Sequence, residues 1–250
     1  MNLHEFFIVC PLVFLAGFVD AIAGGGGLIS LPAYMFAGVP VHNAIATNKL
    51  SSATGTAVST WHLVKSRCVD LFLVPGTVAC AFVGSIAGAN LALIISDRVL
   101  KTVLVFVLPV VAFCVLRDKN LKPVIPEGFT RKKQYLIMAA CSFVIGIYDG
   151  FYGPGTGTFL ILIFMGLAHM TSMEAAAYTK VVNLSSNIAS LVTFLVSGQV
   201  ILPLGLAAAV FSIAGHYTGA GMVLKNGTKI IRPIILVVLA LLFIKIVFNL

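Results

Sequence analysis

The chain has 250 residues, 60% of them hydrophobic and only 10% charged, with a formal net charge of +8. Soluble domains are roughly 45–50% apolar and about 25% charged, and charges this sparse cannot cover a soluble core of this size. A water-soluble globule, a disordered chain and a secreted disulfide scaffold are excluded, and the composition specifies an all-α polytopic membrane protein.

A bilayer-spanning helix needs about 20 residues. Along the chain, apolar segments run at 3–23, 28–40, 44–64, 71–95, 99–116, 135–152, 157–168, 175–197, 200–224 and 230–248. The N-terminus, Met1-Asn2-Leu3-His4-Glu5, lacks the basic region of a cleavable signal, so the first run is expected to remain as a membrane segment. Segments 28–40 and 157–168 are too short to span, and each follows a glycine-rich break, Gly24-Gly25-Gly26-Gly27 and Gly153-Pro154-Gly155-Thr156-Gly157. Glycine is entropically costly in a helix and proline removes a backbone donor. Two helices broken at matching places are the expected mark of a transporter binding site.

The one long polar stretch, 117–133, carries Arg117, Lys119, Lys122, Arg131, Lys132 and Lys133 and reads as a cytoplasmic linker between halves at 1–116 and 134–250. If each broken unit returns to its own side, eleven Lys/Arg lie inside and three outside; if it crosses, the counts are eight and six. The positive-inside rule favours the first arrangement, a re-entrant hairpin plus three transmembrane helices per half, and hence halves of inverted orientation. Segment 3–23 is nevertheless long enough to cross the whole bilayer, so such a hairpin must tilt or begin among the headgroups. The basic residues thus report topology, and no nucleic-acid partner is expected. The cysteines Cys10, Cys68, Cys80, Cys114 and Cys141 lack paired spacing and read as small hydrophobes.

The halves align as an internal repeat. Gly17-Phe18-Val19-Asp20 matches Gly146-Ile147-Tyr148-Asp149, and Thr47-Asn48-Lys49-Leu50 matches Tyr178-Thr179-Lys180-Val181. Ser85-Ile86-Ala87-Gly88 recurs as Ser212-Ile213-Ala214-Gly215, and Arg98-x-x-Lys101 as Lys229-x-x-Arg232, with offsets of 127 to 131 residues throughout. Polar residues kept in order distinguish a repeat from chance likeness between apolar helices.

These motifs carry a family resemblance. Gly17-x-x-Asp20 leading into Gly24–Gly27 and Leu28, then Ala46-Thr47-Asn48-Lys49, resembles the first half of the TauE/SafE family. The run Asp149-Gly150-Phe151-Tyr152-Gly153-Pro154-Gly155-Thr156-Gly157-Thr158-Phe159, followed by Thr179-Lys180-x-x-Asn183, extends the likeness over nearly the whole chain. The resemblance implies an integral transporter of sulfite, sulfonates or related organosulfur anions, with export the expected direction and the bacterial inner (plasma) membrane the expected location. It does not fix the cargo.

The residues lead to compatible chemistry on their own. Asp20, Lys49, Asp149 and Lys180 are ionisable groups inside apolar segments, one Asp and one Lys in each half. A charge at helix centre costs roughly 2.5–3.5 kcal/mol on insertion scales, so partners or water must offset it. Lysine offers three donors to an anion's oxygens. The second part of a broken helix presents unpaired N–H groups and the positive end of its dipole. Gly24, Gly25, Gly26, Gly27, Gly153, Pro154, Gly155 and Gly157 are therefore the expected backbone cradle of an anion. Lys49 and Lys180 supply charge; Thr156, Thr158, Asn48, Thr179 and Asn183 supply polar contacts. The competing reading is that each lysine only neutralises an aspartate or snorkels to an interface. For Asp20 and Asp149, ion pairing or helix capping competes with proton coupling. His216 reads as hydrogen-bonded to a neighbouring helix, Glu174 as a helix cap, and Gly84/Gly88, Gly146/Gly150 and Gly215/Gly219 as close helix packing.

No ATP-binding GxxxxGK[ST], HExxH or GxSxG motif occurs in the sequence. The expectation is a secondary transporter of a small anion working by alternating access, without cofactor or metal, embedded in lipid and compatible with a homodimer. A passive anion channel is the first alternative and would need a continuous polar lining. An intramembrane enzyme is the second and would need a nucleophile–base pair.

Overall fold

The computed structural model describes residues 3–65, 69–70, 72–96, 128–226, 230 and 233–234. Among these the chain forms eight helices and no strand: α1 (Leu3–Ala23), α2 (Gly27–Phe36), α3 (Val41–Lys65), α4 (Val74–Ile94), α5 (Arg131–Phe151), α6 (Thr156–Gly166), α7 (Ser172–Val196) and α8 (Leu202–Asn226). The span expected at 99–116, the linker up to residue 127, and nearly all of the span expected at 230–248 lie outside the described residues.

Local chemistry sets the helix ends. α1 stops where Gly24 takes φ +75°, a conformation open to glycine and strained for other residues. Thr130 begins α5 by accepting a hydrogen bond from Lys133 N at 3.3 Å, so Arg131–Lys133, expected in the linker, form the first helical turn instead. α7 opens with a capping box in which Thr171 and Glu174 satisfy each other's backbone N–H groups at 3.3 and 2.9 Å.

Both breaks reverse the chain. Beyond Gly24 the backbone folds back along α1, so that a Cβ added to Gly26 would lie 2.5 Å from Ala16 O. In the second break Tyr148 on α5 donates its hydroxyl to Pro154 O at 2.7 Å, and its ring lies 5.6 Å from that of Phe159 on α6. The pairs α1–α2 and α5–α6 are therefore helical hairpins.

The packing of the longer helices is crosswise: α1 lies against α8, α5 against α4, and α3 and α4 each against α7, with α3 also on α8. Glycine permits these approaches. Side chains at Gly84 and Gly88 would strike Phe143 and Ile147 carbonyls on α5, and at Gly146 and Gly150 the carbonyls of Ala81 and Ser85 on α4. Gly215 and Gly219 do the same for α8 against α1.

α1, α4, α5, α7 and α8 are long and apolar enough to cross a membrane. Large apolar side chains such as Phe7, Val83, Ile94, Val144, Val196 and Val210 point outward, as lipid requires. The chain is a polytopic membrane protein. α3 has the 25-residue length of α7 but is too polar to be recognised as a span; its polar residues Thr47, Asn48, Lys49, Ser51, Thr56, Ser59 and Thr60 are buried against protein rather than turned to lipid.

Filling the α4–α5 contact should be costly: Gly88→Val or Gly150→Val is expected to lower stability by about 1–3 kcal/mol by overpacking. Gly221→Ala, where an added Cβ meets nothing within 4 Å, should be neutral or stabilising. Thermal unfolding in detergent compares the three.

Candidate functional site

The two breaks meet at the centre of the bundle. Thr158 N donates to Gly24 O at 3.2 Å and Thr158 Oγ1 to Ala23 O at 2.7 Å. Gly24 and Gly157 touch backbone to backbone, so closely that a Cβ on either would overlap the other. A Cβ on Gly27 would lie 2.9 Å from Pro154 Cα.

Around this crossing the four charged side chains pair between the halves rather than within them. Lys49 Nζ on α3 lies 2.8 Å from Asp149 Oδ2 on α5, and both side chains are 3% exposed. Lys180 Nζ on α7 lies 2.8 Å from Asp20 Oδ2 on α1 and also bonds the Asp20 backbone carbonyl. Neither lysine snorkels. In a low-dielectric interior an unpaired charge is expensive, and each pair removes that cost for its partner.

The surroundings of the two pairs differ. Asp149 Oδ2 also accepts from Ser186 Oγ at 2.6 Å, and Lys49 donates to Asn187 Oδ1 at 3.1 Å; Asn187 in turn donates to Asn183 at 3.3 Å. Asp20 Oδ1 accepts from Gly26 N at 3.3 Å, and its Oδ2 lies 3.1 Å from His216 Nε2 on α8.

A cavity of about 20 Å³ lies at the crossing, lined by both aspartates, Lys49, Asn48, Asn183 and Asn187, with Ser52, Thr156 and four break glycines, Gly24, Gly27, Gly153 and Gly157. That volume holds about one water molecule, and a solute of several heavy atoms does not fit it as it stands. Most of the expected site residues thus converge, but not all line the cavity. Gly25, Pro154, Gly155, Thr158, Thr179 and Lys180 do not line it, and Gly26 lines a neighbouring pocket. The hydroxyls of Thr156 and Thr158 donate to Gly153 O and Ala23 O, at 2.7 Å each, holding the breaks in shape. Asn48 Oδ1 and Thr179 Oγ1 are buried with no hydrogen-bond partner among the described residues.

The lysines, alike in sequence, occupy different places: Lys49 faces the cavity, whereas Lys180 is fully buried behind Asp20. Sequence reasoning missed Ser52 and Asn187. The signal was spacing: Asn187 follows Asn183 by one helical turn, and Ser52 precedes Asn183 by 131 residues, the same offset as Lys49 from Lys180.

Among the described residues no group of three or more His, Cys, Asp or Glu side chains has the arrangement of a metal site.

Comparison with known proteins agrees with this architecture. The model of the family described as "Sulfite exporter TauE/SafE" matches residues 9–246. The chain is 35% identical to "Probable membrane transporter protein YfcA" of Escherichia coli (strain K12), over 98% of this chain and 94% of that protein. A "Probable membrane transporter protein" of Haemophilus influenzae is 34% identical, over 94% and 92%, and "Probable membrane transporter protein YunE" of Bacillus subtilis (strain 168) 25%, over 98% of each. No solved structure matches the chain.

Because each buried pair loses its compensation when one partner is neutralised, Asp149→Asn or Lys49→Gln alone should cost about 3–5 kcal/mol. The double variant should recover much of that loss. A double-mutant cycle on thermal or denaturant unfolding in detergent measures the coupling.

Proposed function

The chain belongs to the sulfite exporter TauE/SafE family of membrane transporters, and from that premise we propose that it carries a small sulfur oxyanion, sulfite or an organosulfonate, across the bacterial inner membrane by alternating access, with export as the direction. The observation that carries this reading is the convergence of Lys49, Asn48, Asn183 and Asn187 with both glycine breaks on one buried cavity. The first turns of α2 and α6 bring helix N-termini to it, and such termini favour negative charge. Glycine lets an anion reach that backbone.

Lys49 is the ligand for the anion in this proposal. Without the anion it is held by Asp149 and Asn187. An arriving anion offers Lys49 a second negative partner, and Asp149 retains the Ser186 hydroxyl as its own donor. The exchange leaves each of the two negative groups a donor, as a low-dielectric site demands, while the anion adds one negative charge to the site. Lys180 holds α7 to α1 and does not face the ligand.

The internal repeat supports alternating access, because corresponding helices pack crosswise: α1 with α8 and α5 with α4. Rocking one half against the other would open the cavity first to one side and then to the other. A cavity the size of one water molecule is too small for the anion, so such a cycle must widen it. No energy-coupling motif occurs in the sequence, so the driving force is a gradient.

A charge-assisted contact is worth about 1.5–3 kcal/mol, so Lys49→Gln should reduce sulfite or sulfonate counterflow in proteoliposomes roughly 10- to 100-fold. Lys65→Gln, at the exposed end of α3, should leave it unchanged. Undiminished counterflow in Lys49→Gln would overturn the assignment of the ligand, and flux that neither saturates nor shows counterflow would replace the carrier by a channel.

A further inference from the structure

The two Lys–Asp pairs differ most in the third partner of the carboxylate. On the Lys49–Asp149 side the third partner of the carboxylate is a hydroxyl, Ser186; on the Lys180–Asp20 side it is an imidazole, His216. In the repeat, His216 follows Ser212-Ile213-Ala214-Gly215 where Ala89 follows Ser85-Ile86-Ala87-Gly88. The second half therefore carries a titratable ring where the first carries a methyl group.

Space has been made for this ring. A Cβ on Gly17 would lie 2.8 Å from His216 Nδ1, and one on Gly55 would overlap it. Ser186 stands at the repeat position of Gly55, so the bulk that one half gives to a hydroxyl the other gives to the imidazole. The ring is buried at 2% exposure.

Its hydrogen bonds suit two protonation states. Nε2 lies 3.1 Å from Asp20 Oδ2, and Nδ1 lies 2.9 Å from Ser212 O. A carboxylate and a carbonyl both only accept, so the charged ring, with a proton on each nitrogen, satisfies both. Ser212 Oγ is 3.3 Å from Nδ1, and its hydroxyl can donate to that nitrogen once the proton has left. Each state of the ring has a partner at both nitrogens.

The ring also has a link to the transport cavity. A second cavity of about 20 Å³ is lined by His216, Ser212, Ser30 and Ser51, and it shares Asp20, Gly27, Asn48 and Ser52 with the central one. Room for one water on each side of these shared residues gives a proton a short polar route between them.

We propose that His216, with Asp20 and Lys180, is the proton site of the transporter, and that the anion and one proton are carried together, so that export runs down the anion's own outward gradient and an inward proton gradient opposes it. This rests on the anion-transport reading above. With the ring neutral, the two Asp–Lys pairs sum to zero charge; with the ring protonated, the group carries one positive charge, which balances a singly charged anion beside Lys49. Protonated His216 also competes with Lys180 for Asp20 Oδ2, the atom they share, while Asp20 Oδ1 accepts from Gly26 N in the first break. Proton binding thereby changes how tightly α7 is tied to the α1–α2 hairpin. The charged and titratable groups around the ring are Asp20 from α1 and Lys180 from α7. From α3 the ring meets Gly55, Lys49 being engaged by Asp149 and His62 lying against Tyr217 at 5.0 Å.

The test uses the full chain in liposomes, with the membrane potential clamped by potassium and valinomycin and protein-free liposomes as background. Labelled isethionate, a sulfonate singly charged at every pH used, and labelled sulfite are the probes. Counterflow at equal pH on both sides reads carriage alone; if neither probe counterflows, the transport reading itself fails. With counterflow present, a pH gradient of one unit should sustain roughly tenfold accumulation of isethionate, or of sulfite if it alone counterflows, at one proton per anion. His216→Gln and His216→Asn should lose that accumulation, and their residual counterflow should no longer vary with pH. Ser212→Ala, which removes the donor to the neutral ring, should move the pH profile of counterflow upward, a shift that a purely structural role for His216 would not produce. It decides the matter if the His216 variants do not fold. Wild-type carriage indifferent to the gradient, His216 variants that keep the accumulation, or a pH profile unmoved in Ser212→Ala would each overturn the proposal.

Discussion

A charge at the middle of a membrane-spanning helix is tolerated only when something nearby compensates it, and this protein buries four of them around one point. The compensation is reciprocal between the halves: the aspartate of each is neutralised by the lysine of the other. Much of the architecture follows. α1 and α5 must bring Asp20 and Asp149 to the ends of their broken hairpins, and α3 and α7 must cross the centre to deliver Lys49 and Lys180. Neither half is electrostatically complete alone, and the pairs fasten the N-terminal half to the C-terminal half where the breaks cross.

The same constraint shapes the composition of the central helices. α3 and α7 carry buried Ser, Thr and Asn residues at helical spacing around their lysines. Side-chain hydroxyls donate to backbone carbonyls across helices, as Thr60 does to Lys180 O at 3.0 Å and Ser85 to Ser186 O at 2.6 Å. Such bonds cost little to exchange for water or for a ligand when helices shift. Glycine on the outer pairs plays the opposite part, fixing α4 to α5 and α1 to α8 through close backbone contact.

Much of this was legible in the sequence. Eight of the apolar segments coincide with helices to within a few residues, because runs of apolar residues broken by glycine and proline have few other readings in a bilayer. The four charged residues stood out because lipid makes them improbable without a role. The partner of each charge was not legible: pairing within a half and between halves satisfy the same sum, and only the crossing of the hairpins selects the second. Lys49 and Lys180 looked equivalent for the same reason, since their sequence surroundings match while the depth of each behind its break is set by packing. Arg131–Lys133 read as linker by charge alone, whereas a threonine cap makes them helical. Ser52, Asn187 and the contact of His216 with Asp20 depend on which helix faces which.

The central claim is that an anion binds where the two breaks cross, against Lys49. Selenite has the shape and charge of sulfite and scatters anomalously, so diffraction from crystals of the protein grown with selenite, measured at the selenium edge, locates it directly. A peak within hydrogen-bond reach of Lys49 Nζ and of the first backbone N–H groups of α2 or α6, with the Lys49–Asp149 contact lengthened, is the predicted result. Selenium bound elsewhere in the bundle, with the Lys49–Asp149 pair intact and the cavity unchanged, would contradict it.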